Sequence, residues 1–151
     1  MDLYRIKPGD GVVWITGASA GIGRQLAYQM VVEGYTVVGS ARNADALSDL
    51  GKELAGANGE FFSLPCDVTD IEGMQAAVDS IEKDHGPIRL AVFNAGNYWP
   101  TPGEAMDLDA YRKNYEVNLF GVLNGLVPVV ERMKGHGKGQ IALVASVSGY
   151  T

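Results

Sequence analysis

The 151-residue sequence is short of cysteine, of basic clusters and of long apolar runs, and each shortage narrows what the chain can be. A single cysteine, Cys66, cannot close an internal disulfide, and no Cys/His spacing of the zinc type is present, so no metal site is expected. No apolar run approaches the ~18 residues that span a bilayer. The opening stretch Met1 to Asp10 carries Asp2, Arg5 and Lys7 and lacks the apolar core of a secretory signal. Lys and Arg number 12 against 18 Asp and Glu, a net charge of −6 with no basic cluster. Neither nucleic acid nor a membrane surface is therefore an expected partner, and the cytoplasm is the expected compartment.

What is present is an ordinary globular composition, 46% hydrophobic and 20% charged, long enough for one domain over residues 1–151. Short apolar runs, mostly rich in β-branched residues, predict strands at Val12–Thr16, Thr36–Ser40, Phe61–Leu64, Leu90–Asn94 and Ile141–Ala145. Stretches with helical spacing lie between them, at Gly21–Glu33, Asp45–Ala55, Asp70–Lys83 and Asp107–Lys134, with Pro128 expected to bend or open the last. Strands apolar on both faces, alternating with helices, predict an α/β fold of the Rossmann type: a doubly wound parallel sheet in the order 3-2-1-4-5.

The loop Thr16-Gly17-Ala18-Ser19-Ala20-Gly21-Ile22-Gly23 leaves the first strand and opens the first helix. Gly17 permits a tight reversal, Gly21 lets the backbone approach a pyrophosphate, and Gly23 lets helix pack closely on strand. Unpaired amides at the helix start then receive the anion. The spacing is GxxxGxG rather than GxGxxG. The stretch Gly17 to Gly21 also reads literally as the GxSxG elbow of a serine hydrolase. That reading needs a downstream acid and histidine, and the two histidines, His85 and His136, lie in polar, glycine-flanked turns. A dinucleotide cradle is the better expectation.

Further features follow in order: Asp67-Val68 after the third strand, Asn94-Ala95-Gly96 ending the fourth, Asn118 in Tyr115-Glu116-Val117-Asn118-Leu119, and Ser146 closing the fifth. With Thr16 to Gly23, this series resembles the short-chain dehydrogenase/reductase family through essentially the whole chain. The resemblance implies a cofactor site of Thr16, Gly17, Ser19, Gly21, Ile22 and Gly23, with Asp67 and Val68 at the adenine and Asn94, Ala95 and Gly96 on the ribose side. It implies Asn118 as support for a proton relay. Ser146, three residues before Gly149, would be the serine that hydrogen-bonds the substrate's carbonyl or hydroxyl; Ser148 is the alternative alignment.

Such a protein is an oxidoreductase that moves hydride between a nicotinamide and a small carbonyl or alcohol, and the family is usually oligomeric through its long helices. A nucleotide-binding protein without catalysis is the alternative. The second strand ends Gly39-Ser40-Ala41-Arg42, with Ala41 where the family's NAD-preferring members carry an acid and Arg42 next, so NADP(H) is expected over NAD(H). Tyr98 and Trp99, beyond Gly96, hint at an aromatic-lined pocket. The family's catalytic Tyr-x-x-x-Lys does not occur in these 151 residues, Tyr150 being too close to Ser146. Together with the wholly apolar fifth strand, this leads to the expectation that the chain is the front part of a longer protein.

Overall fold

The computed structural model describes residues 4–100, 104 and 106–146. Five strands, β1 (Val12–Thr16), β2 (Thr36–Ser40), β3 (Glu60–Ser63), β4 (Ile88–Phe93) and β5 (Gln140–Leu143), form one sheet in the order β3-β2-β1-β4-β5. All four pairings are parallel. The expected fold and strand order are those observed.

The alternation of side chains along each strand explains why the apolar runs had to be continuous. Val12 and Trp14 face one layer, with Met74, Val78, Ile81, Phe93 and Val129; Val13 and Ile15 face the other, with Ala27, Val31, Leu47 and Leu50. Helices α1 (Gly21–Val32) and α2 (Ala44–Glu53) cover the second face, and α3 (Ile71–Asp84) and α5 (Gly121–His136) the first. At 25 cal/mol per Å² of apolar area, burying one Val or Ile side chain stabilises by roughly 1.5–3 kcal/mol, which makes β1, buried at all five positions, the anchor of the sheet. Trp14 adds a polar tie, its indole N–H donating to Ser40 Oγ of β2 at 2.9 Å.

The expected single helix over Asp107–Lys134 is not continuous. Helix α4 (Leu108–Tyr115) runs into a π-helical turn at Glu116–Phe120 before α5 begins. Pro128 lies inside α5 and is not the point of irregularity. The wide turn falls instead where Asn118 reaches the backbone of Asn97 and where a Cβ on Gly121 would meet Val68 Cγ2 at 2.6 Å. A π-turn is a one-residue widening of the helix, and here it coincides with both features.

Strand β5 is an edge of this sheet, and Ile141, Leu143 and Val144 are exposed, Leu143 by 59%. An unpaired apolar edge of this kind invites association. Among the described residues, no helix is long and apolar enough to cross a membrane.

Candidate cofactor site

The order in which strands are added reverses between β1 and β4: β2 and β3 build outward on one side of β1, β4 and β5 on the other. The loops leaving the carboxyl ends of β1 and β4 must part there, and a cleft opens at that point. It measures ≈ 350 Å³ and is lined by Gly17, Ser19 and Ala20 after β1, by Ala41, Arg42 and Asn43 after β2, by Cys66, Asp67 and Val68 after β3, and by Asn94 to Asn97 after β4, with Val117 closing it.

Thr16 holds the two sides of the cleft together from behind. Its hydroxyl is 2% exposed as a residue, accepts the Asn94 and Ala95 amides at 3.1 Å each, and donates to the Val92 carbonyl at 3.5 Å. Asn94 returns the tie, its Nδ2 donating to the carbonyls of Thr16 and Gly17 at 3.2 Å each. Gly17 has φ +71°, and a Cβ there would meet Ala95 Cα at 2.8 Å; a Cβ on Gly23 would collide with Asn94 Nδ2 and the Gly17 carbonyl. These two glycines let α1 begin against the end of β4. Gly21, φ +55°, would carry its Cβ into open space.

The start of α1 differs from its neighbours. Helix α2 is capped by Asn43, α3 by Asp70 and α4 by Asp107, each side chain accepting a first-turn amide. Helix α1 begins at Ala20 with no side-chain cap and no acidic residue in its first turn. Its first amides and the positive end of its dipole are therefore left without a capping side chain at the cleft, an arrangement chemically suited to an anion. The Ala18 amide donates to the Ser40 carbonyl at 3.1 Å, which ties this loop to the strand end that leads into Arg42.

At the far side, Arg42 is exposed and, among the described residues, is the one cation in the lining; Ala41 stands beside it. Backbone pairing continues past β3, with the Cys66 amide on the Ala41 carbonyl at 3.1 Å, so Asp67 comes alongside Arg42. Asp67 Oδ1 accepts both the Thr69 amide at 3.0 Å and the Thr69 hydroxyl at 2.9 Å. The backbone bond from Thr69 first, then its hydroxyl and the Arg42 charge, hold the Asp67 carboxyl below the usual carboxylate range against the opposing effect of partial burial. Burial pushes the Cys66 thiol up from its ordinary value.

The depressed Asp67 value has a consequence for stability. A carboxyl whose folded pKa lies below its unfolded value contributes stability that is fully present above the unfolded value, about 3.9, and lost as pH falls through the folded one. Urea unfolding followed from pH 6 downward should show Asp67→Asn to be less stable than the wild type at pH 6, with the gap closing as pH falls below about 4. A gap that stays constant with pH would show that the Thr69 bonds do not favour the ionised form.

Of the residues expected from the sequence, Gly17, Ser19, Arg42, Asp67, Val68, Asn94, Ala95 and Gly96 come together in the lining. Thr16 and Gly23 stand behind it, and Gly21 and Ile22 form the first turn of α1, Ile22 with its side chain exposed. Asn118 meets the cleft through Asn97, and Ser146 lies three residues past the end of β5. Ser148, Gly149 and Tyr150 lie outside the described residues. The lining also holds Ala20, Ala41, Asn43, Cys66, Asn97 and Val117, which were not expected from the sequence as site residues. Each adjoins a residue that was (Ser19, Arg42, Asp67, Gly96 or Asn118), and widening each segment by one residue would have found them. Among the described residues no cluster of His, Cys, Asp or Glu is arranged to hold a metal ion.

Comparison with known proteins agrees with this geometry. The family model described as short chain dehydrogenase matches residues 11–151. Dehydrogenase/reductase SDR family member 7 of Homo sapiens is 35% identical over 145 residues, which are 93% of this chain and 42% of that protein. The structure of a variant actinorhodin polyketide ketoreductase with NADPH superposes with a TM-score of 0.88 at 29% identity, covering 97% of this chain and 57% of that one. A 7α-hydroxysteroid dehydrogenase complexed with NADH and 7-oxo glycochenodeoxycholic acid superposes with a TM-score of 0.89 at 30% identity, covering 96% and 56%. The chain spans about half the length of such relatives.

Proposed function

Because this chain belongs to the short chain dehydrogenase family, we propose that it forms the cofactor-binding part of an NADP(H)-dependent oxidoreductase acting on a small carbonyl or alcohol substrate. The observation that carries the reading is the cleft itself, which joins uncapped amides at the start of α1 to the Arg42 guanidinium at the end of β2.

In this reading Gly17, Ser19 and the first turn of α1, with Gly21, Ile22 and Gly23, take the pyrophosphate. Thr16 fixes the two loops that flank it. Asp67 and Val68 hold the adenine, Arg42 the 2′-phosphate, and Asn94, Ala95 and Gly96 the second ribose. The bound nicotinamide would supply hydride chemistry at the end of the cleft toward β4. On that side Ser146 orients the substrate oxygen and Asn118 supports a proton path. The sequence holds no Tyr-x-x-x-Lys. A tyrosine of ordinary pKa near 10 needs about 4 kcal/mol of help to serve as a base at pH 7, which that lysine would give. The 151-residue chain is accordingly expected to bind cofactor without turnover. Its exposed apolar residues on the α4–α5 segment, among them Tyr115, Phe120, Leu123 and Val127, together with β5, favour association of copies.

The cofactor choice rests on charge. A guanidinium bonded to a phosphate contributes about 1.5–3 kcal/mol, roughly 10- to 100-fold in affinity, whereas NAD(H) offers it only a hydroxyl. Calorimetric titration of the chain should give tighter binding of NADPH than of NADH, and Arg42→Ala should lose most of that difference while binding NADH nearly as before. Equal affinities in the wild type, or an unaffected NADPH affinity in Arg42→Ala, would mean that Arg42 is only a solvated strand-end residue.

A further inference from the structure

Two asparagines four residues apart grip the chain that follows β4. Asn118 Nδ2 donates to the Asn97 carbonyl at 2.7 Å, and its Oδ1 accepts the Asn97 amide at 2.8 Å. Asn114 repeats the pattern two residues along, Nδ2 donating to the Trp99 carbonyl at 2.9 Å and Oδ1 accepting the Trp99 amide at 3.1 Å. A side-chain amide used in this way offers the same donor and acceptor as a neighbouring strand's peptide. Asn114 near the end of α4 and Asn118 in the π-helical turn thus take alternate residues of the chain after β4. Asn114 is itself steadied by a bond from Nδ2 to the Ala110 carbonyl at 3.1 Å.

The sheet order places this loop at one end of the cleft. Asn94 to Asn97 lie on the β4 side of β1, and Arg42 and Asp67 on the β2–β3 side. The geometry points to Asn114 as a positioning residue for the nicotinamide end: it makes the second rung of a ladder that holds Asn97–Trp99 in place before ligand arrives. This rests on the cofactor reading above. Ordering a residue of backbone costs roughly 1–2 kcal/mol, so a loop ordered in advance spares the ligand that cost.

The test uses the 151-residue chain, amide hydrogen exchange, and two probes, NADPH and 2′,5′-ADP, the latter reaching only the Arg42 end. Asn114→Leu is expected to speed exchange at the Trp99 amide by about tenfold or more while the Asn97 amide, held by Asn118, keeps its rate. NADPH affinity should fall about fivefold, and 2′,5′-ADP affinity by less than about twofold. Asn114→Asp retains the acceptor and should preserve protection at Trp99, which separates the ladder from general loosening of the helix. Unchanged exchange at Trp99 in Asn114→Leu, or parallel losses of both nucleotides, would overturn the assignment. A wild-type chain that binds neither nucleotide would overturn the cofactor reading, and the positioning role with it.

Discussion

Replacing Gly17 with alanine is expected to abolish measurable NADPH binding and to lower the unfolding free energy by about 2–5 kcal/mol. Two independent penalties combine at this position. Gly17 has φ +71°, a conformation that costs an L-residue about 1–2 kcal/mol. Its Cβ would also sit 2.8 Å from Ala95 Cα and 2.9 Å from the Ala95 nitrogen, and both are backbone atoms that cannot swing aside. Relief requires the loop to move away from β4, which displaces the first amides of α1 from the place proposed for the pyrophosphate. Gly56 is the control, with φ +86° and no atom within 4 Å of an added Cβ. Gly56→Ala should show the backbone penalty alone and leave NADPH affinity unchanged. Urea unfolding with calorimetry on both variants distinguishes the two. Retention of binding in Gly17→Ala would show that the loop tolerates a shift that the packing forbids.

Thr16→Val is expected to cost about 2–4 kcal/mol of stability, although it changes the side chain's volume very little. The hydroxyl accepts two amides, Asn94 and Ala95, and a methyl group leaves both without that partner at the cleft floor. A part-buried amide left unsatisfied costs on the order of 1–3 kcal/mol, which outweighs any gain from removing a buried hydroxyl. Thr16→Ser keeps the oxygen and should lose well under half as much. Chemical denaturation of the three proteins makes the comparison, and NADPH affinity should follow the same order because Asn94 to Gly96 are fixed through these bonds. A Thr16→Val protein as stable as the wild type would show that the hydroxyl ties are not what joins β1 to the end of β4.

How much of this was legible in the sequence depends on how local the cause is. Strands β1 and β2 could be read to the residue because both are buried on both faces around apolar runs, Val12 to Ile15 in β1 and Val37-Val38 in β2. Glycines in the first loop could be read because backbone conformation is a local property. The break at Glu116–Phe120 could not, because it answers to Asn97 and Val68, which are remote in sequence. Pro128, the local signal for a disturbance, points to the wrong turn. The same distance in sequence hid the grip of Asn114 on Trp99: in the sequence Asn114 is one more polar residue on an amphipathic helix. Strand β3 begins one residue early and β4 two, shifts set by pairing with β2 and β1 rather than by composition.

The central claim is that the cleft at the carboxyl ends of β1, β2, β3 and β4 is a dinucleotide site. Backbone amide chemical shifts of the 151-residue chain, recorded with and without NADPH, test it most directly. The account predicts that the largest changes fall at Gly17 to Gly23, Ala41 to Asn43, Asp67 and Val68, and Asn94 to Asn97, with the β5 edge unmoved. Saturation without changes in those segments, or changes centred on α5 and β5, would contradict it.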